Sequence, residues 1–139
     1  MIVPVSESNK KDWAQLCHAL WPEMDEAEAL EELEGLPHEF LYYEGEEAVG
    51  FFSLDLRHDY VEGTEQSPVG YLEGIYVKAS HRKRGIATAM VAYAKEWVKA
   101  KGCLEFASDC ELTNEESRLF HLKMGFKEAN RIICFAMTL

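Results

Sequence analysis

The sequence is short of positive charge. Against 25 Asp and Glu stand only 14 Lys and Arg, for a formal net charge of −11. Nucleic-acid binding rests on neutralising phosphates with Lys and Arg, so this balance argues against nucleic acid as a partner. A summed negative potential instead concentrates cations, which suits a cationic small molecule as readily as it suits plain solubility. Paired cysteines are also missing. Cys17, Cys103, Cys110 and Cys134 form no C-x-x-C pair. With no secretory signal in view they are expected to be reduced thiols, mostly core fillers. His18, His38, His58, His81 and His121 make no H-E-x-x-H or other ligand spacing, so no metal site is expected. No apolar run reaches the roughly 18 residues of a membrane span. The start, Met1-Ile2-Val3-Pro4-Val5, has neither a basic n-region nor a cleavage site. The expected setting is the cytoplasm, without a membrane partner.

What is present suffices for a packed core. Hydrophobic residues make up 47% of the chain and aromatics 12%, and residues 1–139 read as a single domain without repeats or linkers. Ile2 to Val5 predicts a short strand. Trp13, Leu16, Cys17, Leu20 and Trp21 recur at helical spacing after a Ser8-Asn9 start and before Pro22. A second, acidic helix is expected from Asp25 to Leu33. Phe40–Tyr43 and Ala48–Leu54 flank Glu44-Gly45-Glu46 as a hairpin, and Val69–Val77 reads as a third long strand. Ile86, Met90, Val91, Ala94, Trp97 and Val98 mark one face of a helix from Ala87 to about Lys101, which Gly102 ends. Cys103–Ser108 predicts a strand. Thr113-Asn114-Glu115-Glu116 opens a helix to about Met124. Lys127–Leu139 is expected to supply one or two closing strands. The order implies a mixed α/β (α+β) architecture, a central sheet flanked by helices.

The most informative stretch is His81-Arg82-Lys83-Arg84-Gly85-Ile86-Ala87, set between an apolar strand and a helix. Open N–H groups at a helix start, the positive end of the macrodipole and a glycine that permits close backbone approach together suit a pyrophosphate. A solvated basic patch is the plainer alternative. A P-loop is disfavoured, because Gly85 is followed by Ile-Ala-Thr rather than Gly-Lys-Ser/Thr.

Arg82-Lys83-Arg84-Gly85-Ile86-Ala87 at such a turn, with Met124-Gly125-Phe126 downstream, resembles the acetyl-CoA signature of the GNAT N-acetyltransferase superfamily. Longer strings resemble the aminoglycoside 6'-N-acetyltransferases within it. They are Leu20-Trp21-Pro22, Arg57-His58-Asp59-Tyr60-Val61-Glu62-Gly63, Leu72-Glu73-Gly74-Ile75-Tyr76-Val77 and Phe106-Ala107-Ser108-Asp109. The resemblance implies the GNAT fold and transfer of acetyl from acetyl-CoA to the 6'-amine of an aminoglycoside. The amine would attack directly in a ternary complex, with no metal and no covalent cysteine intermediate. It also implies antibiotic resistance as the biological role and, through Ile132–Met137, a homodimer.

The same resemblance distributes roles. Lys83, Arg84, Gly85, Ile86, Ala87 and Thr88 would hold the pyrophosphate, with Asn114 a further cofactor contact or simply a helix cap. Ile75, Tyr76 and Val77 would run beside the pantetheine arm, and an N–H there, Ile75 foremost, would face the thioester oxygen. Glu73 breaks an apolar strand, and a carboxylate there must be solvated, paired or functional; the resemblance makes it a contact for the substrate amine. Asp109 is the second substrate carboxylate, or a loop acid. Trp21 and Tyr60 match the aromatic side of the acceptor site, although Trp21 equally fits the core stripe. Met24 and Asn130 occupy two further acceptor positions, where relatives carry a polar and an acidic residue. His121 stands four residues before Gly125, where many superfamily members carry a tyrosine acid. A thiol of pKa roughly 8.5 leaves readily, so His121 either donates to sulfur or contacts CoA or solvent. The rivals are a GNAT enzyme for another cationic amine and a noncatalytic acyl-CoA-binding module.

Overall fold

The structure, a computed structural model, describes residues 1–36 and 38–139. Five strands form one sheet in the order of the chain: β1 (Ile2–Pro4), β2 (Glu39–Glu44), β3 (Glu47–Arg57), β4 (Val69–Val77) and β5 (Phe106–Ser108). The first four are antiparallel and β4 pairs with β5 in parallel, so the sheet is mixed as expected. The helices are α1 (Lys10–Leu20), α2 (Glu26–Glu32), α3 (Ile86–Ala100) and α4 (Glu115–Lys123).

Consecutive strand residues point to opposite faces, so a sheet covered on both sides buries neighbours alike. Phe40, Phe52, Leu54 and Leu72 pack against Met90 and Ala94 of α3. Leu41 and Phe51, one residue away in each strand, pack instead on Trp13, Leu16 and Cys17 of α1 and Ala29 of α2. The stripe read from sequence on α3 is the buried one, with Trp97 half-buried. Caps act where the sequence places them. Asp25 accepts from Glu28 N–H at 2.8 Å, and Asn114 from Ser117 N–H at 3.1 Å. Asn9 works differently: its side chain turns back to Ser6 N–H (2.7 Å) and the Pro4 carbonyl (3.1 Å), tying β1 to α1.

Three expectations are corrected. The strand expected over 103–108 is shorter, because Cys103 is drawn back to α3 by its N–H bond to the Val98 carbonyl (3.3 Å), leaving only Phe106–Ser108 to pair. The thiols divide evenly, Cys17 and Cys103 buried, Cys110 and Cys134 exposed. The closing strands do not form within this chain: residues 127–139 carry no strand and are exposed. Strand formation needs a neighbouring backbone, and none of the described strands pairs with that segment.

Candidate active site

The face of the sheet under α1 and α2 carries a cavity of about 530 Å³. Trp13 and Cys17 of α1, then Trp21 and Met24 just past it, form one wall, and Glu32 of α2 contributes beside them. Glu39, Ser53, Asp55 and Glu73 line it from β2, β3 and β4. With Glu23 that makes five carboxyl side chains and, among the described residues, no lysine or arginine. Such a wall attracts a cation and repels an anion. Trp21 belongs to the core and to the cavity lining alike. Its ring packs edge-on against Phe51 at 5.8 Å and also borders the cavity. A Cβ on Gly74 would lie 3.0 Å from that ring, tighter than ordinary contact, so glycine at this position eases the close approach of the indole to β4.

Glu73 is not a free acid. Arg57 holds it in a fork, with Nη2 2.7 Å and 3.0 Å from the two oxygens and Nε at 3.1 Å. The guanidinium carbon also sits 3.4 Å from the centroid of the Tyr71 ring, and the Tyr71 hydroxyl donates to Asp109. Glu73 and Asp109 are therefore joined through Arg57 and Tyr71. Burial pushes the Tyr71 phenol up, and its bond to Asp109 adds to the shift, so this hydroxyl stays a donor.

Beside these acids β4 has an open edge. Its pairing with β5 is confined to Gly70, Tyr71 and Leu72, so Glu73–Val77 has no strand on that side among the described residues. An extended ligand can add there as a strand does. Past Val77 the chain turns through residues 78–85 into α3. Lys83 and Gly85 both have left-handed backbones (φ +62° and +83°), and no side chain caps α3. The first bond closing into the helix runs from Ala89 N–H to the Gly85 carbonyl (3.0 Å). The N–H groups of Ile86, Ala87 and Thr88 precede it and face outward, a cradle suited to phosphate. The positive charge around it is partly spoken for. Arg84 pairs with Glu44 at 3.3 Å, and Arg82 Nε donates to the Val77 carbonyl at 2.8 Å. Backbone donors and the exposed Lys83 remain for an anion.

Other sequence-selected residues lie further out. His121 is held at both nitrogens. Nδ1 lies 2.7 Å from the Ser117 carbonyl and so carries a proton, while Nε2 meets the Ser108 hydroxyl at 2.8 Å, at the end of β5. Asn114 caps α4 with its carbonyl oxygen, which leaves its amide NH₂ for another partner. Tyr60 is 77% exposed. Asn130 bonds Glu62 at 3.1 Å. Neither Tyr60 nor Asn130 borders the cavity.

Sequence reasoning missed Arg57 and Tyr71 as the link between the acids, and it missed Glu39. Glu39 is 5% exposed, accepts from Trp13 Nε1 at 3.1 Å and accepts from the Ser53 hydroxyl. The signal was available, since Glu39 leads an apolar strand much as Glu73 interrupts one.

Comparison with known proteins agrees with this geometry. The model of the Acetyltransferase (GNAT) family matches residues 7–126. An aminoglycoside N(6')-acetyltransferase type 1 of Acinetobacter genomosp. 13 is 41% identical over 140 residues, covering 96% of this chain and 95% of its own. The apo crystal structure of an aminoglycoside 6'-N-acetyltransferase of Acinetobacter haemolyticus superposes with a TM-score of 0.94 at 39% identity, covering 100% of this chain and 99% of that one. AAC(6')-Iy, solved with the bisubstrate analogue CoA-S-monomethyl-acetylneamine, superposes with a TM-score of 0.94 at 34% identity, covering 100% and 98%.

Proposed function

This chain belongs to the GNAT family of acetyltransferases, and from that premise we propose that it moves the acetyl group of acetyl-CoA to the 6'-amine of aminoglycosides. The observation that carries the reading is the course of β4. Glu73 on that strand lines an acidic cavity, and the same strand leads through residues 78–85 into the open N-terminus of α3. Donor and acceptor are thereby offered to one strand. The solved complex of AAC(6')-Iy with a joined CoA and aminoglycoside analogue supports the pairing.

The residue roles follow. Lys83, Arg84, Gly85, Ile86, Ala87 and Thr88 bind the pyrophosphate, and the amide of Asn114 adds a donor. The pantetheine arm lies along Ile75, Tyr76 and Val77 on the free edge, and the Ile75 N–H stabilises the thioester oxygen as negative charge develops there. The acceptor enters as an ammonium drawn by the acidic wall, with Trp21, Met24 and Tyr60 against its rings and Asn130 at its outer end. Glu73 and Asp109, oriented by Arg57 and Tyr71, hold the ammonium and pass its proton to water. The free amine attacks the carbonyl carbon, the nitrogen gives its second proton to water through Glu73, the C–S bond breaks, and the sulfur leaves with a proton that solvent supplies through His121.

Residues 1–139 act as one catalytic domain, supported by a single sheet that takes in every strand. The setting is the cytoplasm, where acetyl-CoA is made, and the role is antibiotic resistance. The working form is a homodimer built through residues 127–139. The unbroken apolar run Ile132–Met137 lies open in the single chain, with Ile133, Phe135 and Met137 77%, 90% and 84% exposed, which supports a cover supplied from outside it.

The test is thiol release from acetyl-CoA with matched 6'-amino and 6'-hydroxy aminoglycosides, alongside a linear polyamine. Turnover confined to the 6'-amino compounds is expected. Equal turnover irrespective of the 6' group, or preference for the polyamine, overturns the assignment.

A further inference from the structure

Glu39 begins β2 and lies under Trp13 and Cys17 on the floor of the cavity. Two side chains are committed to its carboxyl: Trp13 Nε1 donates to Oε1 at 3.1 Å, and the Ser53 hydroxyl donates to Oε2. Each oxygen retains a second lone pair. The titratable groups that share the cavity with it are Cys17 on α1, Glu23 after it, Glu32 on α2, Asp55 on β3 and Glu73 on β4, and none of them is a cation. A buried carboxyl is ordinarily matched by a buried base or replaced by an apolar residue. Here it is matched by neither. Burial pushes it up to about 7, the charge of Glu73 adds to the shift, and the Ser53 and Trp13 bonds pull it back. Near neutrality it therefore changes charge when a cation arrives.

Its distance from Glu73 indicates which cation. Glu39 and Ser53 are direct partners across β2 and β3, and Ser53 and Gly74 across β3 and β4. With strands roughly 4.8 Å apart, the backbone of Glu39 lies two strands, about 10 Å, from that of Gly74, the neighbour of Glu73. Both line the same cavity. Two strands separate their backbones, which leaves room for two ammonium groups of one multiply charged molecule, one at each carboxyl.

Resting on the acetyl-acceptor reading of this cavity, we infer that Glu39 is a substrate-binding residue, the floor anchor for a second, remote ammonium of a multiply charged acceptor. On binding, the ammonium takes the place of the carboxyl proton, which leaves to solvent. The acetylated amine is met by Glu73, so Glu39 selects the acceptor and takes no part in the bond change.

Glu39→Gln keeps the shape, accepts from Trp13 through its amide oxygen, donates to the Ser53 hydroxyl through its amide nitrogen, and abolishes the charge. The experiment compares neamine, a two-ring polyamine, with 6-amino-6-deoxyglucose, which has one amine, by thiol release from acetyl-CoA at pH 8. The kcat/KM preference for neamine is expected to fall about tenfold or more in Glu39→Gln, through KM rather than kcat. An unchanged preference overturns the anchor, as does a fall carried by kcat alone. In the native protein with ¹³C-labelled glutamate, a carboxyl resonance titrating near neutrality is expected to move to its ionised position when neamine is added at pH 6. Absence of that movement also overturns the anchor, whether or not the variant folds. Native protein that acetylates neither amine refutes the acceptor reading itself and the anchor with it, whereas active native protein with an unselective variant response refutes the anchor alone.

Discussion

Arg57 grips Glu73 through both carboxylate oxygens, Nη2 lying 2.7 Å from one and 3.0 Å from the other. The same guanidinium lies flat enough on Tyr71 to come within 3.4 Å of its ring centroid. Burial works against the guanidinium, yet the bonds and charge of Glu73 outweigh it and raise Arg57 further, so the fork stays charged throughout the accessible pH range. Glu73 is thus held in one orientation. Its distance to the Asp109 end of the site is set by Tyr71, whose hydroxyl reaches that acid.

Removing the fork should cost activity and little stability. The pair is partly solvated, 38% and 33% exposed, and such pairs contribute about 0–1 kcal/mol to folding. Arg57→Ala is expected to lower kcat/KM about tenfold, the equivalent of roughly 1.4 kcal/mol, with a thermal midpoint within a few degrees of native. Arg57→Lys should restore little, because an ammonium cannot form the two-pronged contact or stack on Tyr71. Steady-state kinetics with a thermal melt checks both. A loss of folding in parallel with activity would count against the positioning role.

The turn before α3 is tested at Gly85. Its φ is +83°, and a Cβ built there has no neighbour within 4 Å, so a side chain meets backbone strain rather than a clash. Left-handed strain for a non-glycine residue is about 1 kcal/mol. Gly85→Val should therefore leave the fold standing while blocking close approach of the pyrophosphate. The expected result is a KM for acetyl-CoA raised about tenfold or more, with the acceptor KM unchanged within error. Initial rates with each substrate varied in turn give the answer.

Much of this was legible in the sequence because local physics decided it. The stripe Ile86–Met90–Ala94 fixes the buried side of α3, Asp25 and Asn114 cap the helices they precede, and the basic turn falls between strand and helix as its residues demand. Glu73 was found because a carboxylate in an apolar strand needs an explanation. What the sequence could not reveal depends on contacts across the chain. Arg57 and Glu73 are 16 positions apart and meet only through the β3–β4 pairing. Glu39 needs Ser53 across the sheet and Trp13 from α1 before its burial becomes visible. The closing segment fails differently. Its apolar run suggests strands, but a strand needs a neighbouring backbone to pair with, and residues 127–139 form none here.

Glu39 also makes stability depend on pH in a defined direction. Burial lifts its carboxyl from about 4.5 to about 7, so the folded chain keeps a proton that the unfolded chain has given up. That stability is complete below about pH 4.5 and is lost as the pH rises through about 7. The span is worth on the order of 3 kcal/mol. Between pH 5 and pH 8 the native protein should lose about that much more unfolding free energy than Glu39→Gln, whose side chain is neutral throughout. Urea titrations at the two pH values measure the difference, and equal losses in both proteins would remove the buried carboxyl as the cause.

The last prediction concerns residues 127–139. Ile132 to Met137 is an unbroken apolar run, yet Ile132, Ile133, Phe135 and Met137 lie open to water along a segment that pairs with no strand among the described residues. Leaving such a series exposed forfeits about 25 cal/mol for each Å² that could be covered. A second copy of the chain carries the same unsatisfied segment, so an exchange of segments about a twofold axis satisfies both at once. Full-length protein is expected to run as a dimer in light scattering at micromolar concentration. Phe135→Asp combined with Ile133→Asp should shift it to monomer, because two charges in that buried row would cost several kcal/mol per subunit. The core under α1 and α3 does not touch these side chains, so the far-ultraviolet spectrum of the monomer should remain that of a folded α/β protein. A dimer that survives both substitutions would locate the interface elsewhere. A native protein that is monomeric from the outset would require another cover for Phe135.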